Sequence, residues 1–283
     1  MALALILALI GPSIREAAAV RHEMRMTARN FYGTLRVKDA GTGASLVRRL
    51  YHGSIIHGIQ FLGTDYRRTA TTYYTQTNGV GMAILGTRST GAQRVGVIGL
   101  GAGTLAAYGR PGDHYRFYEI NPLVVRIAQE QFWFLRDCAA TTEIALGDAR
   151  LSLEREQPQA FDMLAVDAFS GDSISVHLLT REAFALYFRH VKPEGVVAVH
   201  VSNKFLDLAP VAREAADAFG RQAKVIDAND DDAGVSYGAK WILVTGSPTF
   251  FAQERREPAK EIGSNKKIRL WTDDFTSVYQ ILR

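Results

Sequence analysis

A short glycine-rich segment constrains the fold of this chain more than any other feature. Residues 97–104 read VIGLGAGT, with an apolar, strand-like run before them and a helix-like stretch after them. Glycine lets the backbone pass close to a ligand, and a glycine loop between a strand and a helix is the usual setting for a bound nucleotide. A dinucleotide-binding fingerprint would need glycine at position 104. Thr104 stands there instead, and its side chain is expected to cap the helix that follows.

The segments around this loop alternate between strand and helix patterns. The predicted strands are residues 94–98, 115–120, 142–146, 163–167 and 196–201, and the clearest helical spacing lies in residues 122–134 and 180–191. Such alternation predicts a doubly wound, mainly parallel sheet. Two further strands, residues 223–228 and 241–245, are joined by a loop too short for a crossover helix, so they are predicted to pair antiparallel. The pattern predicts an α/β, Rossmann-like fold of the class I methyltransferase kind, with a mostly parallel seven-stranded sheet.

The predicted domain layout places this fold in the larger, C-terminal part of the chain. Residues 79–283 form the nucleotide-binding catalytic domain, whose central region runs from about Gln93 to Gly246. Residues 30–78 form a small antiparallel β domain, because clusters of β-forming residues alternate there with Gly, Asn and Asp turns. Its strands are predicted at residues 33–37, 44–51 and 55–62.

Residues 1–29 are predicted as an apolar and then helical N-terminal segment. Met1–Ile10 is an unbroken apolar run, but it is too short to cross a bilayer as a helix. No basic stretch typical of a secretory signal precedes it. Residues 13–29 are charged and favour a helix. Two interpretations stay open: a packed or frayed terminal segment, or the remnant of a membrane helix with a basic segment just inside the membrane.

The composition fits a globular enzyme of the cytoplasm, or the cytosolic domain of an inner-membrane protein. The net charge of +4 comes from scattered basic residues that form only isolated pairs, so no nucleic-acid partner is expected. The single cysteine, Cys138, excludes an intramolecular disulfide and a cysteine-based zinc site. His52 and His57 lack a third ligand nearby in sequence, and His200 in an apolar strand fits a satisfied core histidine. No metal is therefore expected.

Acidic residues follow the strands next to the glycine loop. Glu119 ends the second predicted strand, where an acid can accept hydrogen bonds from two ribose hydroxyls. Asp148 and Ala149 follow the third strand, and Asp148 can accept a hydrogen bond from an adenine amino group. Together with Gly99, Gly101 and Gly103, these residues meet at the carboxyl edge of the sheet, where open α/β sheets bind ligands. They predict a site for an adenosylmethionine-type nucleotide.

A further carboxylate, Asp167, follows the fourth predicted strand and projects at the same edge. There it can accept a proton from an attacking amine, or hold a cationic one. Asp172 lies five residues further on and is a weaker candidate for contacts with the substrate.

From residue 31 onward the chain resembles the spermidine synthase family of aminopropyltransferases. The resemblance rests on the order of a small β domain, Gly-x-Gly-x-Gly, Glu119, residues 147–148, Asp167 and the ending LWTDDF at residues 270–275. It implies transfer of an aminopropyl group from decarboxylated adenosylmethionine to an amine, without a metal, in a homodimer. By the same resemblance, the nucleotide is contacted by Gln60, and the substrate site includes the catalytic Asp167, Tyr74 of the entrance motif and Tyr237 of a late loop.

Departures from the family pattern fall around the amine site. The entrance motif of the family carries acids, whereas residues 71–76 here read TTYYTQ. The catalytic motif reads DAFSGD at residues 167–172 and lacks the usual proline. These features, with RNFYG at residues 29–33 and the two histidines before Gln60, are nearest to a bacterial, membrane-associated subgroup of spermidine synthase-like proteins.

Three functions stay open from the sequence. The first is aminopropyl transfer to a small-molecule amine, with Asp167 orienting and deprotonating the nucleophile. The second is methyl transfer from intact adenosylmethionine to a small molecule. The third is a non-catalytic nucleotide-sensing module of a membrane protein.

Overall fold

The structure is a computed structural model that describes residues 23–170, 173–231, 234–252, 259–263 and 268–283. The predictions for Met1–Ile10 and for Asp172 therefore lie outside the described residues. Among the residues that are described, no helix is both long enough and apolar enough to cross a membrane.

The first part of the described chain is a four-stranded antiparallel sheet. Its strands follow chain order: β1 (Met24–Asn30), β2 (Gly33–Ala40), β3 (Val47–His52) and β4 (Ile55–Phe61). The small antiparallel sheet is confirmed, but the helical prediction is wrong for residues 24–29, which lie in β1 and pair with β2. Pairing of β1 with the neighbouring strand β2 outweighs the helix propensity of these residues. Exposure alternates from residue to residue along β1, as expected for a strand.

The second sheet has seven strands and confirms the predicted fold class. Its strands are β5 (Arg94–Ile98), β6 (His114–Glu119), β7 (Thr141–Leu146), β8 (Phe161–Val166), β11 (Val191–His200), β12 (Gln222–Ala228) and β13 (Ala239–Thr245). The spatial order is β12-β13-β11-β8-β5-β6-β7, and β13 is antiparallel to both of its neighbours whereas the other pairs are parallel. Two short strands, β9 (Phe169–Ser170) and β10 (Ser173–Ile174), pair with each other beyond the end of β8.

In the described part of the chain, five α-helices of seven to ten residues connect or flank these strands. They are α1 (Gly79–Gly86), α2 (Pro122–Gln131), α3 (Ala149–Arg155), α4 (Arg181–His190) and α5 (Ala209–Asp217). Short 3₁₀ helices occupy Gly43–Ser45, Thr104–Tyr108, Val176–Leu178, Phe250–Ala252 and Val278–Ile281. The side chains of Asn121, Asp148 and Thr180 accept backbone N–H bonds at the starts of α2, α3 and α4, which satisfies donors that a helix leaves free at its first turn.

The prediction that Thr104 caps a helix is wrong. Gly103 occupies the cap position with a left-handed φ of 82°, and Thr104 is the first residue of a short 3₁₀ helix. The Thr104 hydroxyl is buried and has no hydrogen-bond partner. A glycine at the cap avoids the steric cost that a side chain carries in this conformation.

The large sheet is covered on both faces by apolar clusters. One cluster contains Trp241, Phe117 and Val97 together with Leu35 and Leu50 of the small sheet. The other contains Trp271 and helical side chains of α3, α4 and α5. Because Leu35 and Leu50 share a cluster with Val97 of β5, the small sheet packs on the large one near the glycine-rich segment.

Gly96 in β5 tests how tightly this sheet is packed. A Cβ at Gly96 would lie 2.7 Å from Leu164 Cδ1 and 2.8 Å from Phe161 Cε2. We expect Gly96→Ala to lower the free energy of unfolding by about 1–3 kcal/mol, since overpacked cores must shift to relieve contact. The matched control is Gly63→Ala, where an added Cβ would meet nothing within 4 Å. Denaturant unfolding of both variants checks this, and equal stabilities would contradict it.

Candidate functional site

A cleft of about 880 Å³ opens at the carboxyl ends of the central strands of the large sheet. The small sheet forms its opposite wall through Tyr32, Leu35, Leu50, His52 and His57. The predicted site residues that line this cleft are Tyr74, Gly99, Gly101, Glu119, Asp148, Ala149 and Asp167. The structure therefore brings together seven candidates that the sequence separates by up to 93 residues.

The glycine loop lies against both the end of β8 and the small sheet. Gly99 has a φ of 95°, and a Cβ there would lie 2.3 Å from the Asp167 carbonyl oxygen. Gly101 has a φ of 54°, and a Cβ there would lie 2.9 Å from the His57 carbonyl oxygen. No other residue fits these two positions without movement of the backbone around them.

Glu119 lies at the end of β6 and is held by the backbone on both sides. One carboxylate oxygen accepts a hydrogen bond from Leu100 N at 3.0 Å, and the other accepts one from Asn121 N at 2.8 Å. Burial raises the pKa of Glu119 above its usual value, whereas these backbone donors act in the opposite direction. Each oxygen keeps a second lone pair, so the carboxylate can still accept hydrogen bonds from a ligand in the cleft.

Asp148 combines a helix cap with a place in the cleft. Its Oδ1 accepts a hydrogen bond from Leu151 N at 3.0 Å, and its Oδ2 lies 3.2 Å from His177 Nε2. The structural role and the predicted ligand role are thus compatible, since each carboxylate oxygen can accept a second hydrogen bond. His177 also lines the cleft, and the sequence reasoning did not select it.

Asp167 accepts one hydrogen bond on each of its carboxylate oxygens. Tyr74 Oη donates to Oδ2 at 2.6 Å, and His200 Nδ1 lies 2.7 Å from Oδ1. Only 7% of the Asp167 side chain is exposed. Burial, and then the nearby Asp167 carboxylate, raises the pKa of Tyr74 well above its usual value, so Tyr74 remains a hydrogen-bond donor. The carboxylate is therefore held in one orientation at the wall of the cleft.

His200 is the main functional contact that the sequence reasoning missed. The expectation of a satisfied core histidine holds as far as burial goes, since His200 is 8% exposed, but its partner is the predicted catalytic acid. The position of His200 at the end of a strand was the feature that could have indicated this contact. His200 is the last residue of β11, which runs parallel to β8 with Val199 opposite Val166. Two strands that end in register at one sheet edge bring the residues that follow them close together.

Another histidine, His57, also faces the cleft. Its ring centroid lies 5.5 Å from that of His52, and its Nε2 is buried without a hydrogen-bond partner. The pKa of His57 is lowered to about 4, mainly by burial; the Asp167 carboxylate opposes this shift, and the nearby His52 and His200 contribute to it. His57 is therefore a neutral ring in the wall of the cleft at neutral pH.

Three predicted site residues are not among those lining the cleft. Gln60 is fully buried, and its amide binds the Arg67 carbonyl at 2.8 Å and Trp133 N at 2.9 Å. Gly103 lies at the far end of the loop, against the Leu135 side chain. Tyr237 lies in the loop between β12 and β13, where its backbone N donates to Thr72 O at 3.2 Å. This contact places Tyr237 beside the segment that carries Tyr74.

The described residues contain no group of three or more His, Cys, Asp or Glu side chains arranged to hold a metal ion.

The fold and cleft define a Rossmann-like, spermidine synthase-type architecture. Solved structures with this fold include a probable spermidine synthase from Corynebacterium glutamicum ATCC 13032, with a TM-score of 0.64 and 18% identity over 81% of this chain and 83% of that one. The spermidine synthase from Thermotoga maritima matches with a TM-score of 0.55 and 14% identity over 89% and 82% of the two chains. A spermidine synthase in complex with the transition state analogue AdoDATO gives 0.57 and 15% over 89% and 83%.

The chain is also similar in sequence to the polyamine aminopropyltransferase of Vibrio vulnificus (strain CMCP6). The two are 37% identical over 118 residues, which is 40% of this chain and 38% of the relative. No protein-family model matches the chain. The resemblance to spermidine synthases that the sequence predicted is thus confirmed, over a shared stretch of less than half of either protein.

His57 generates a prediction about stability and pH. Because its folded pKa of about 4 lies below the usual 6.5, the unfolded chain binds more protons between these values. The free energy of unfolding should then fall as the pH drops from about 6.5 to about 4, by about 3 kcal/mol in total. Denaturant unfolding across this range should show a smaller loss in His57→Gln. The exposed His177→Gln is the control, and an unchanged pH dependence in His57→Gln would contradict the assignment.

Proposed function

We propose that this chain is an aminopropyltransferase that uses decarboxylated adenosylmethionine and a small-molecule amine. The observation that carries the proposal is the position of Asp167, a buried and oriented carboxylate in the wall of a cleft that also contains Glu119 and Asp148. The similarity to a polyamine aminopropyltransferase and the spermidine synthase fold support the same reaction class.

The charge of the cleft favours the decarboxylated nucleotide over the intact one. Three carboxylates line the cleft, and no Lys or Arg side chain is among its lining residues in the part of the chain that is described. Decarboxylated adenosylmethionine carries a sulfonium and an ammonium group and no carboxylate, so its charge is opposite to that of the wall. Intact adenosylmethionine carries a carboxylate, which would lack a cationic partner here when desolvated.

The proposed binding mode follows the ends of three strands. The glycine loop at Gly99 and Gly101 passes next to the nucleotide, Glu119 accepts hydrogen bonds from the ribose hydroxyls, and Asp148 accepts one from the adenine amino group beside Ala149. The sulfonium end then lies toward Asp167, because the Asp167 carbonyl directly contacts the turn at Gly99. Gln60 and Gly103 do not line the cleft, so any support that they give to this site is indirect.

The reaction at this site is a displacement at carbon. The amine nitrogen uses its lone pair to form a bond to the carbon next to sulfur, the C–S bond breaks, and its electron pair neutralises the sulfonium. Methylthioadenosine is released, and the surplus proton on nitrogen passes to the Asp167 carboxylate. Asp167 thus serves as base and orienting group, while most of the acceleration comes from positioning of the two reactants.

The amine is proposed to enter beside Tyr74 and Tyr237. Residues 71–76 contain no carboxylate. This segment can therefore accept hydrogen bonds from an amine but cannot form an ion pair with it. Asp172, which lies outside the described residues, is proposed as an additional substrate contact. The assembly is proposed to be a homodimer in the cytoplasm or at the cytoplasmic side of the inner membrane.

Binding of three nucleotides tests the identity of the co-substrate. Calorimetric titration should show tightest binding for decarboxylated adenosylmethionine, detectable binding for methylthioadenosine and weaker binding for intact adenosylmethionine, because only the last places a carboxylate in an acidic cleft. A preference for intact adenosylmethionine would instead support methyl transfer to a small molecule. Binding of the nucleotide without turnover of any amine would support a sensing role.

Asp167→Asn tests the catalytic role. The variant should keep its affinity for the nucleotide within about threefold and lose about 10²–10⁴-fold in kcat, the usual contribution of a positioned general base. The readout is formation of methylthioadenosine with an excess of amine. Asp217→Asn, an exposed acid at the end of α5, is the matched control. Normal turnover by Asp167→Asn would remove Asp167 from the mechanism.

A further inference from the structure

We propose that His200 is a positioning residue for Asp167, and that Ser202 fixes the orientation of the His200 ring. This inference rests on the proposed aminopropyl transfer. It adds to that reaction two residues outside the glycine loop and outside the acids that the sequence singled out.

A continuous chain of hydrogen bonds leads from the backbone of β13 to the catalytic carboxylate. Lys240 N donates to Ser202 Oγ at 2.8 Å, Ser202 Oγ lies 2.9 Å from His200 Nε2, and His200 Nδ1 lies 2.7 Å from Asp167 Oδ1. Ser202 Oγ already accepts the Lys240 N–H, so its own proton is free to be donated to Nε2. An ionised carboxylate can only accept, so Nδ1 carries a proton and donates it. The neutral tautomer of His200 that is protonated at Nδ1 is compatible with its hydrogen bonds to both Asp167 and Ser202.

Aromatic packing holds the ring in the plane that this chain requires. His200 stacks on Trp241 with ring centroids 4.6 Å apart and an angle of 9° between the planes. Tyr73 also contacts the His200 ring, at a centroid distance of 5.1 Å. Since Trp241 is fully buried, rotation of the imidazole would disrupt a packed side chain. The donor to Asp167 is therefore held in advance of any ligand.

Tyr74 and His200 each donate a hydrogen bond to a different oxygen of the Asp167 carboxylate. Tyr74 occupies one lone pair of Oδ2 and His200 occupies one of Oδ1, which leaves the remaining lone pairs to meet the amine. Donors to a carboxylate also favour its ionised form, the form that can accept the proton released as the N–C bond forms. His200 thus acts through Asp167 and does not itself touch the reacting atoms.

Ser202 resembles the serine of a serine–histidine–aspartate triad by its distances alone. It does not line the cleft, and its oxygen is engaged by the Lys240 N–H, which withdraws electron density from a would-be nucleophile. Ser202 is therefore proposed to orient the His200 ring and not to act as a nucleophile.

The test uses two substitutions of His200 in the full-length protein. His200→Phe keeps an aromatic ring against Trp241 and removes the donor, whereas His200→Asn supplies a shorter side chain that can still donate to Asp167. His200→Phe should lower kcat by at least about tenfold with the nucleotide KM unchanged, and His200→Asn should recover most of that loss. His190→Asn, which changes a buried histidine outside the cleft, is the matched control. Equal kcat in His200→Phe and the wild-type protein would overturn the proposal, as would equal losses in His200→Phe and His190→Asn.

The pH profile separates positioning from packing. Loss of a donor favours the protonated form of Asp167, so the acid limb of kcat in His200→Phe should move toward higher pH. Among the described residues, the titratable groups that contact or electrostatically affect this pair include Tyr73, Tyr74 and His57. The pKa values of both tyrosines are raised, and that of His57 is about 4, so none of the three changes charge near neutral pH. An unshifted acid limb would show that His200 only fills space.

Nitrogen NMR tests the contact without turnover. The chain has seven histidines, and the ring signals of His200 are those lost in His200→Phe. Long-range proton–nitrogen spectra should show the tautomer protonated at Nδ1, and Asp167→Ala should disturb it. The tautomer protonated at Nε2 would overturn the proposal even for an active enzyme. If no amine is turned over, the proposed function fails, while the Nδ1 tautomer and its response to Asp167→Ala still support positioning of the carboxylate.

Discussion

The site depends on one close approach of two backbone segments. At Gly99 the chain leaves β5 and passes so near the end of β8 that a Cβ would lie 2.3 Å from the Asp167 carbonyl oxygen. Asp167 N in turn donates to Ile98 O at 2.9 Å. These contacts place the glycine loop and Asp167, the proposed catalytic acid, at the ends of adjacent strands. The distance between the two halves of the proposed reaction is thus set by the backbone, and side chains only refine it.

The small sheet completes the site by the same kind of contact. Gly58 in β4 lies where a Cβ would be 2.5 Å from Ala102 Cβ, so the strand that carries His57 lies directly on the glycine loop. Histidine and tyrosine rings form much of this wall, while the carboxylates come from the large sheet. The acidic side of the cleft is thus provided by the large sheet, and the nucleotide proposed above carries its sulfonium and ammonium charges opposite to it.

Much of the fold could be predicted because its signals are local. Apolar runs followed by Gly, Asp or Glu identified the central strands and the acids at their ends, and a loop too short for a crossover helix indicated the antiparallel pair β12 and β13. The strand at residues 24–30 was missed although β2 follows it after a two-residue turn, because the charged composition of residues 13–29 favours a helix and the pairing of β1 with β2 outweighs that preference. The contact of His200 with Asp167 was missed because it depends on β8 and β11 being neighbours in the sheet. Neither segment alone indicates which strand it pairs with. The roles of Gln60 and Tyr237 in ligand binding stay predictions.

Asn121 connects parts of the molecule that are otherwise described separately. Its backbone N–H donates to Glu119, its side-chain oxygen accepts from Leu123 N at the start of α2, and the same oxygen accepts from Asn30 at the tip of the β1–β2 hairpin at 2.6 Å. A shift of the hairpin would therefore disturb the segment that orients the Glu119 carboxylate. In the proposed binding mode, where Glu119 holds the ribose, binding of the nucleotide and packing of the hairpin on Asn121 are thermodynamically linked, and each strengthens the other by the same free energy. One asparagine thus couples the small sheet to the acid at the end of β6.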